Sequence, residues 1–126
     1  MGDVAVKPFS QVIEGIRELA AQYPDKAARC SYFNDDGDPC CIVGHFLATH
    51  GVRANALNST ASVELFRGDD IIGYEGNPAT GLWWGAVGYR APGHVQEAWL
   101  SQVQYNQDRG EPWAIAVQKA NKEHRL

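Results

Sequence analysis

Cys30-Ser31-Tyr32-Phe33-Asn34-Asp35-Asp36-Gly37-Asp38-Pro39-Cys40-Cys41-Ile42-Val43-Gly44-His45-Phe46-Leu47-Ala48-Thr49-His50-Gly51-Val52 holds all three cysteines and two of the four histidines of the chain. Residues 28–33 favour extended backbone through Cys30, Tyr32 and Phe33, and the acidic run up to Asp38 is dense turn chemistry. A short strand that reverses is therefore expected. Pro39 suits a first helical turn, Asp38 an N-cap and Gly51 a left-handed exit, which predicts a helix over 39–50.

On a wheel of 100° per residue that helix turns Ile42, Val43, Phe46, Leu47 and His50 to one face, the expected core face. Cys41 and His45 then share the opposite face, and Cys40 lies at its margin. Three chemistries fit such a segment. Cys30, Cys41 and His45 are candidate ligands of a structural zinc site, although the short C-x2-C knuckles such sites use are absent. Cys40 or Cys41 in a first helical turn, with His45 or His94 as base, is a candidate thiol nucleophile of a thiol-dependent hydrolase. Against both stands the common fate of free cysteine: Cys40 and Cys30 pack as small buried hydrophobes where the strand meets the helix, with His50 a hydrogen-bonded residue at the core edge.

Outward from this segment the pattern is mostly helical. Val12, Ile13, Ile16, Leu19, Ala20 and Tyr23 recur at helical spacing and predict a helix over 9–23, stopped by Pro24. Val95, Ala98, Trp99 and Val103 predict another over 94–108, closed by Gly110. A fourth follows from Pro112 with the stripe Trp113, Ala116, Val117 and Ala120. Between them, Asn58-Ser59-Thr60 caps an expected short helix over 62–66, which Arg67-Gly68-Asp69-Asp70 ends. Residues 68–93 are glycine-rich and expected to be irregular, with room for a short strand over 82–89. The fold class is mainly α, of α+β type. It is a small single domain, residues 1–126, of about four helices with one short β element near 28–33 and a Gly/Trp-rich loop; residues 1–7 are expected to be flexible.

Eleven Lys plus Arg against fifteen Asp plus Glu give a net charge of -4, which opposes nonspecific attraction to phosphate backbones. No nucleic-acid partner is expected. Residues 1–8 lack a secretory pattern and no apolar run reaches spanning length, so a cytoplasmic setting away from membranes is expected, with the cysteines as free thiols. No cofactor motif such as a P-loop or G-x-G-x-x-G occurs, and no cofactor is expected. Trp83-Trp84, flanked by Tyr74 and Tyr89, is the candidate partner-binding surface, since one buried indole can dominate an interface. The alternative is that one tryptophan plugs the core and the other caps it. Trp99 and Trp113 fall on apolar helix faces and are assigned to the core.

Two segments resemble motifs of a family of small uncharacterised proteins encoded by phages of actinobacteria. One is Cys30-Ser31-Tyr32-Phe33 followed by Asp36-Gly37-Asp38-Pro39-Cys40-Cys41-Ile42-Val43-Gly44-His45. The other is Val103-Gln104-Tyr105-Asn106-Gln107-Asp108-Arg109-Gly110-Glu111-Pro112-Trp113 with Ala116-Val117. The family pattern has a single cysteine before Ile-Val-Gly, matching Cys41. The resemblance implies a phage accessory protein in the cytoplasm of an infected host cell, and carries no activity. The leading expectation is a non-enzymatic protein that binds a host or phage protein.

Overall fold

Helix α1, Ser10–Gln22, forms where the apolar spacing predicts it and buries Val12, Ile13, Ile16 and Ala20. The computed structural model describes residues 6–27, 33, 38–54, 64–74 and 82–126. Phe9, at the N-cap of α1, is buried and meets Trp84 edge to face at 5.0 Å. The Lys7 N–H donates to the Gly88 carbonyl and its own carbonyl accepts from the Arg90 N–H, both at 2.9 Å.

Helix α2, Ile42–Ala48, is shorter than the expected 39–50. Cys41 is extended, with φ -88 and ψ 170, and acts as the N-cap, so the helix begins three residues late. Pro39 instead pairs with Phe33 in an antiparallel β-bridge. The rest of the expected β element at 28–33 lies outside the described residues. Gly51, at φ 78, takes the chain out of the helix as expected.

The middle of the chain departs most from expectation. Strands β1 (Val52–Ala54), β2 (Glu64–Arg67) and β3 (Asp70–Tyr74) form a three-stranded antiparallel sheet in that order. Thus 64–66 belongs to a strand, where a helix over 62–66 was expected. Arg67-Gly68-Asp69-Asp70 is a hairpin turn, with Arg67 paired to Asp70 and Gly68 at φ 65. The registers place Arg53, Phe66 and Ile71 in one row across the three strands, with a bulge beside Phe66. Leu82 pairs with Gly73, and the Trp83 N–H donates to the Ile72 carbonyl at 2.7 Å, which lays this segment along the free edge of β3. The expected strand over 82–89 is instead a 3₁₀ turn, Trp84–Val87.

Helix α3, His94–Asp108, matches its expected limits, and Gly110 at φ 88 closes it. Helix α4, Trp113–Glu123, follows at once and packs on α3 as a hairpin. Residues of all four helices and the sheet join one core around Trp84, Trp99 and Trp113. The architecture is α+β, with more sheet than one short element. Among the described residues no helix is long and apolar enough to cross a membrane.

Candidate functional site

The cysteine and histidine segment separates into groups that do not act together. Because Cys41 is extended rather than helical, its side chain turns inward instead of facing out with His45; it is fully buried. Its Sγ accepts from the Gly44 N–H at 3.3 Å, and the next free N–H of the helix end, that of Ile42, donates to Gln107 Oε1 at 2.8 Å. The two motif segments therefore meet here: Gln104 and Gln107 of α3 close over the N-terminus of α2, and both are buried. Burial pushes the Cys41 thiol up to about 11, against the opposing hydrogen bonds from Gly44, Gln104 and Gln107. At neutral pH it is a thiol, sealed from solvent.

Cys40, expected to be a free thiol, is half-buried and disulfide-bonded. Neither Cys40 nor Cys41, both of which precede the helix rather than lie in its first turn, thus offers a thiolate. Cys30 lies outside the described residues. His45 is half-buried, its ring edge-on to Trp113 at 5.1 Å and its Nε2 3.5 Å from Lys26 Nζ. Desolvation first, and then the Lys26 charge, lower its pKa, so the neutral imidazole accepts from the ammonium. Lys26 also stands 5.3 Å from the ring centres of both Tyr23 and Trp113. This cluster clamps the connection after α1 onto α4, where the Trp113 N–H donates to the Lys26 carbonyl at 2.8 Å. His94 is exposed at the first residue of α3. Among the described residues, no group of three or more His, Cys, Asp or Glu side chains is placed to hold a metal ion.

His50, expected on the core face, is half-buried and hydrogen-bonded through both ring nitrogens, to partners that its spacing did not identify. Its ring lies on Phe46, with centres 4.5 Å apart. Nδ1 is 3.0 Å from the Phe46 carbonyl, which can only accept, so the proton sits on Nδ1. Nε2 therefore accepts from the Tyr89 hydroxyl, at 2.7 Å. Tyr89 is 4% exposed, which removes it from the expected partner-binding surface, and burial raises its pKa. These groups line one side of a groove of about 460 Å³, with α1 on the other side.

The adjacent tryptophans divide as alternation requires. Trp84 is 2% exposed in the core, so it is corrected from surface anchor to core plug, while Trp83 is 65% exposed. Leu82 is buried opposite Gly73, which turns Trp83 to the outer side of the sheet, the side of Phe66 and Ile71. A Cβ at Gly85 would stand 2.8 Å from Trp83 Nε1, so the bare glycine backbone lets the indole lie over it. Arg53 carries its guanidinium carbon 5.0 Å from the Phe66 ring centre and donates to the Gly68 carbonyl. Tyr74 ends β3, paired with Glu64.

Compared with family models, with curated proteins and with solved structures, the chain finds no match.

Proposed function

We propose that this chain is a non-enzymatic phage accessory protein that binds a host or phage protein through the outer face of its sheet. The observation that carries the binding face is the exposure of Trp83, 65%, with Ile71, 46% exposed, on the same outer side of the sheet. Covering that much indole removes on the order of 100–160 Å² of apolar surface, about 2–4 kcal/mol before ordering costs. The main chain at Trp83 is already held by its hydrogen bond to the Ile72 carbonyl, so the backbone of this segment loses little freedom on binding. Arg53 beside Phe66 adds a cation with donors to spare, so the matching surface is an apolar pocket for the indole with a carboxylate at its rim.

A photo-crosslinking residue in place of Ile71, with Trp83 kept, tests this in infected cells against the same residue in place of Gln118 on exposed α4. Position 71 is expected to capture one dominant protein whose purified form binds the wild-type chain saturably. Equal capture from both positions contradicts the proposal.

A further inference from the structure

We infer that the groove between α1 and the end of α2 receives an arginine-bearing extended segment of a partner polypeptide. This rests on the chain being a polypeptide-binding protein and names a second contact that such a partner makes. The groove, of about 460 Å³, has Glu14 and Glu18 on its α1 side and Phe46, Thr49, His50 and Tyr89 opposite, and no lysine or arginine lines it.

The hydrogen bonds inside it decide what kind of ligand fits. The Thr49 hydroxyl donates to the Phe46 carbonyl at 2.6 Å, His50 Nδ1 donates to the same carbonyl, and the Tyr89 hydroxyl donates to His50 Nε2. All three protons are directed into the protein. Besides the Gln11 and Gln22 amides, which both donate and accept, what the lining offers a ligand is acceptor capacity, above all the two carboxylates. One Glu14 oxygen is shared with Arg17, at 2.7 Å, while the rest of the set has no cation bonded to it among the described residues. A ligand must therefore bring positive charge and donors, and the planar fork of a guanidinium supplies both, matched to the carboxylates of Glu14 and Glu18.

Length and shape favour a chain segment over a small ion. Gln11 and Gln22 mark the two ends of the groove, separated by about 16 Å along the helix axis, the span of roughly five extended residues. Gly15 keeps the floor shallow, since a Cβ there would lie 2.5 Å from the Phe46 ring.

The test uses the full chain and an acetylated, amidated pentapeptide with arginine at its second and fourth positions and glycine elsewhere, followed by amide NMR shifts. Saturable shifts are expected at Gly15, Leu19, Thr49 and His50. A citrulline version of the peptide, isosteric but neutral, is expected to bind at least about tenfold more weakly, and Glu18→Gln to weaken the arginine peptide about tenfold. Glu123→Gln changes the net charge equally, but on the α4 tail, and is expected to leave affinity within about twofold. No saturable shift, equal binding of the two peptides, or an equal loss from Glu123→Gln would each overturn the inference. Trp83→Ala is expected to leave pentapeptide binding within about twofold. A failure at the sheet face and a failure at the groove are therefore distinguishable.

Discussion

Cys41 carries a clear pH signature. Its folded value of about 11 lies above the ordinary 9.0, because burial penalises the thiolate. The folded state therefore holds its proton longer than the unfolded state does. Stability from this group is complete below pH 9 and lost as pH rises towards 11, a fall of about 2–3 kcal/mol that denaturant titrations across that window measure. Tyr89, also raised by burial, adds to the loss in the same direction at the alkaline end. His45 works oppositely: its lowered pKa favours the neutral ring in the fold, so its contribution is lost as pH falls below 6.5, and its NMR titration midpoint is expected below that value. Iodoacetamide is expected to leave the native protein unlabelled at Cys41, to label it in denaturant, and to label Cys40 only after a reductant is added. Fast native labelling at pH 6 would instead mean an exposed thiolate at this position. The thiol's burial was not legible in the sequence, because the inward turn comes from one extended residue at the helix cap.

The joint between α2 and α3 depends on Gln107. Gln107→Ala leaves the Ile42 N–H buried without its acceptor and is expected to cost about 1–3 kcal/mol, read from denaturant midpoints. Gly15→Ala sets two effects against each other. Helix propensity favours alanine by about 1 kcal/mol, while overpacking against the buried Phe46 ring costs about 1–3 kcal/mol. The second wins, and a net loss near 1 kcal/mol is expected; a gain would mean that Phe46 yields into the groove. Helices α1, α3 and α4 were legible because each repeats its apolar stripe over three turns or more between clear stop signals. The β2–β3 hairpin was not, since Glu64-Leu65-Phe66-Arg67 is too short for periods of 2 and 3.6 to be told apart. Its turn was visible as a break, and only the pairing of Arg67 with Asp70 identifies it as a reversal.

Taken as a whole, the molecule uses its motif-bearing segments to build itself. The segment around Cys41 and the one around Gln104 and Gln107 lie far apart in sequence, and no local pattern connects them, yet they meet in a buried polar joint. Among the groups the fold leaves outward, Trp83 is the most exposed large apolar side chain of the described residues, and the row Arg53, Phe66 and Ile71 lies on the same side of the sheet. The division between Trp83 and Trp84 was legible only as two alternatives, because adjacent extended residues face opposite ways but the sequence does not say which faces in. Arg67 links the two surfaces, donating to the carbonyls of His50 and Ala86 at 3.0 and 3.2 Å, so the sheet face and the α1–α2 groove belong to one framework. On the proposed reading binding falls to the sheet, while the Cys41 segment serves the fold. The most direct test is the affinity of a purified partner for Trp83→Ala beside Cys41→Ser, the latter keeping an acceptor at the N-cap. The account predicts that Trp83→Ala weakens binding by at least about thirtyfold and that Cys41→Ser leaves it within about twofold. Unchanged affinity in Trp83→Ala, with loss in a folded Cys41→Ser, would contradict it.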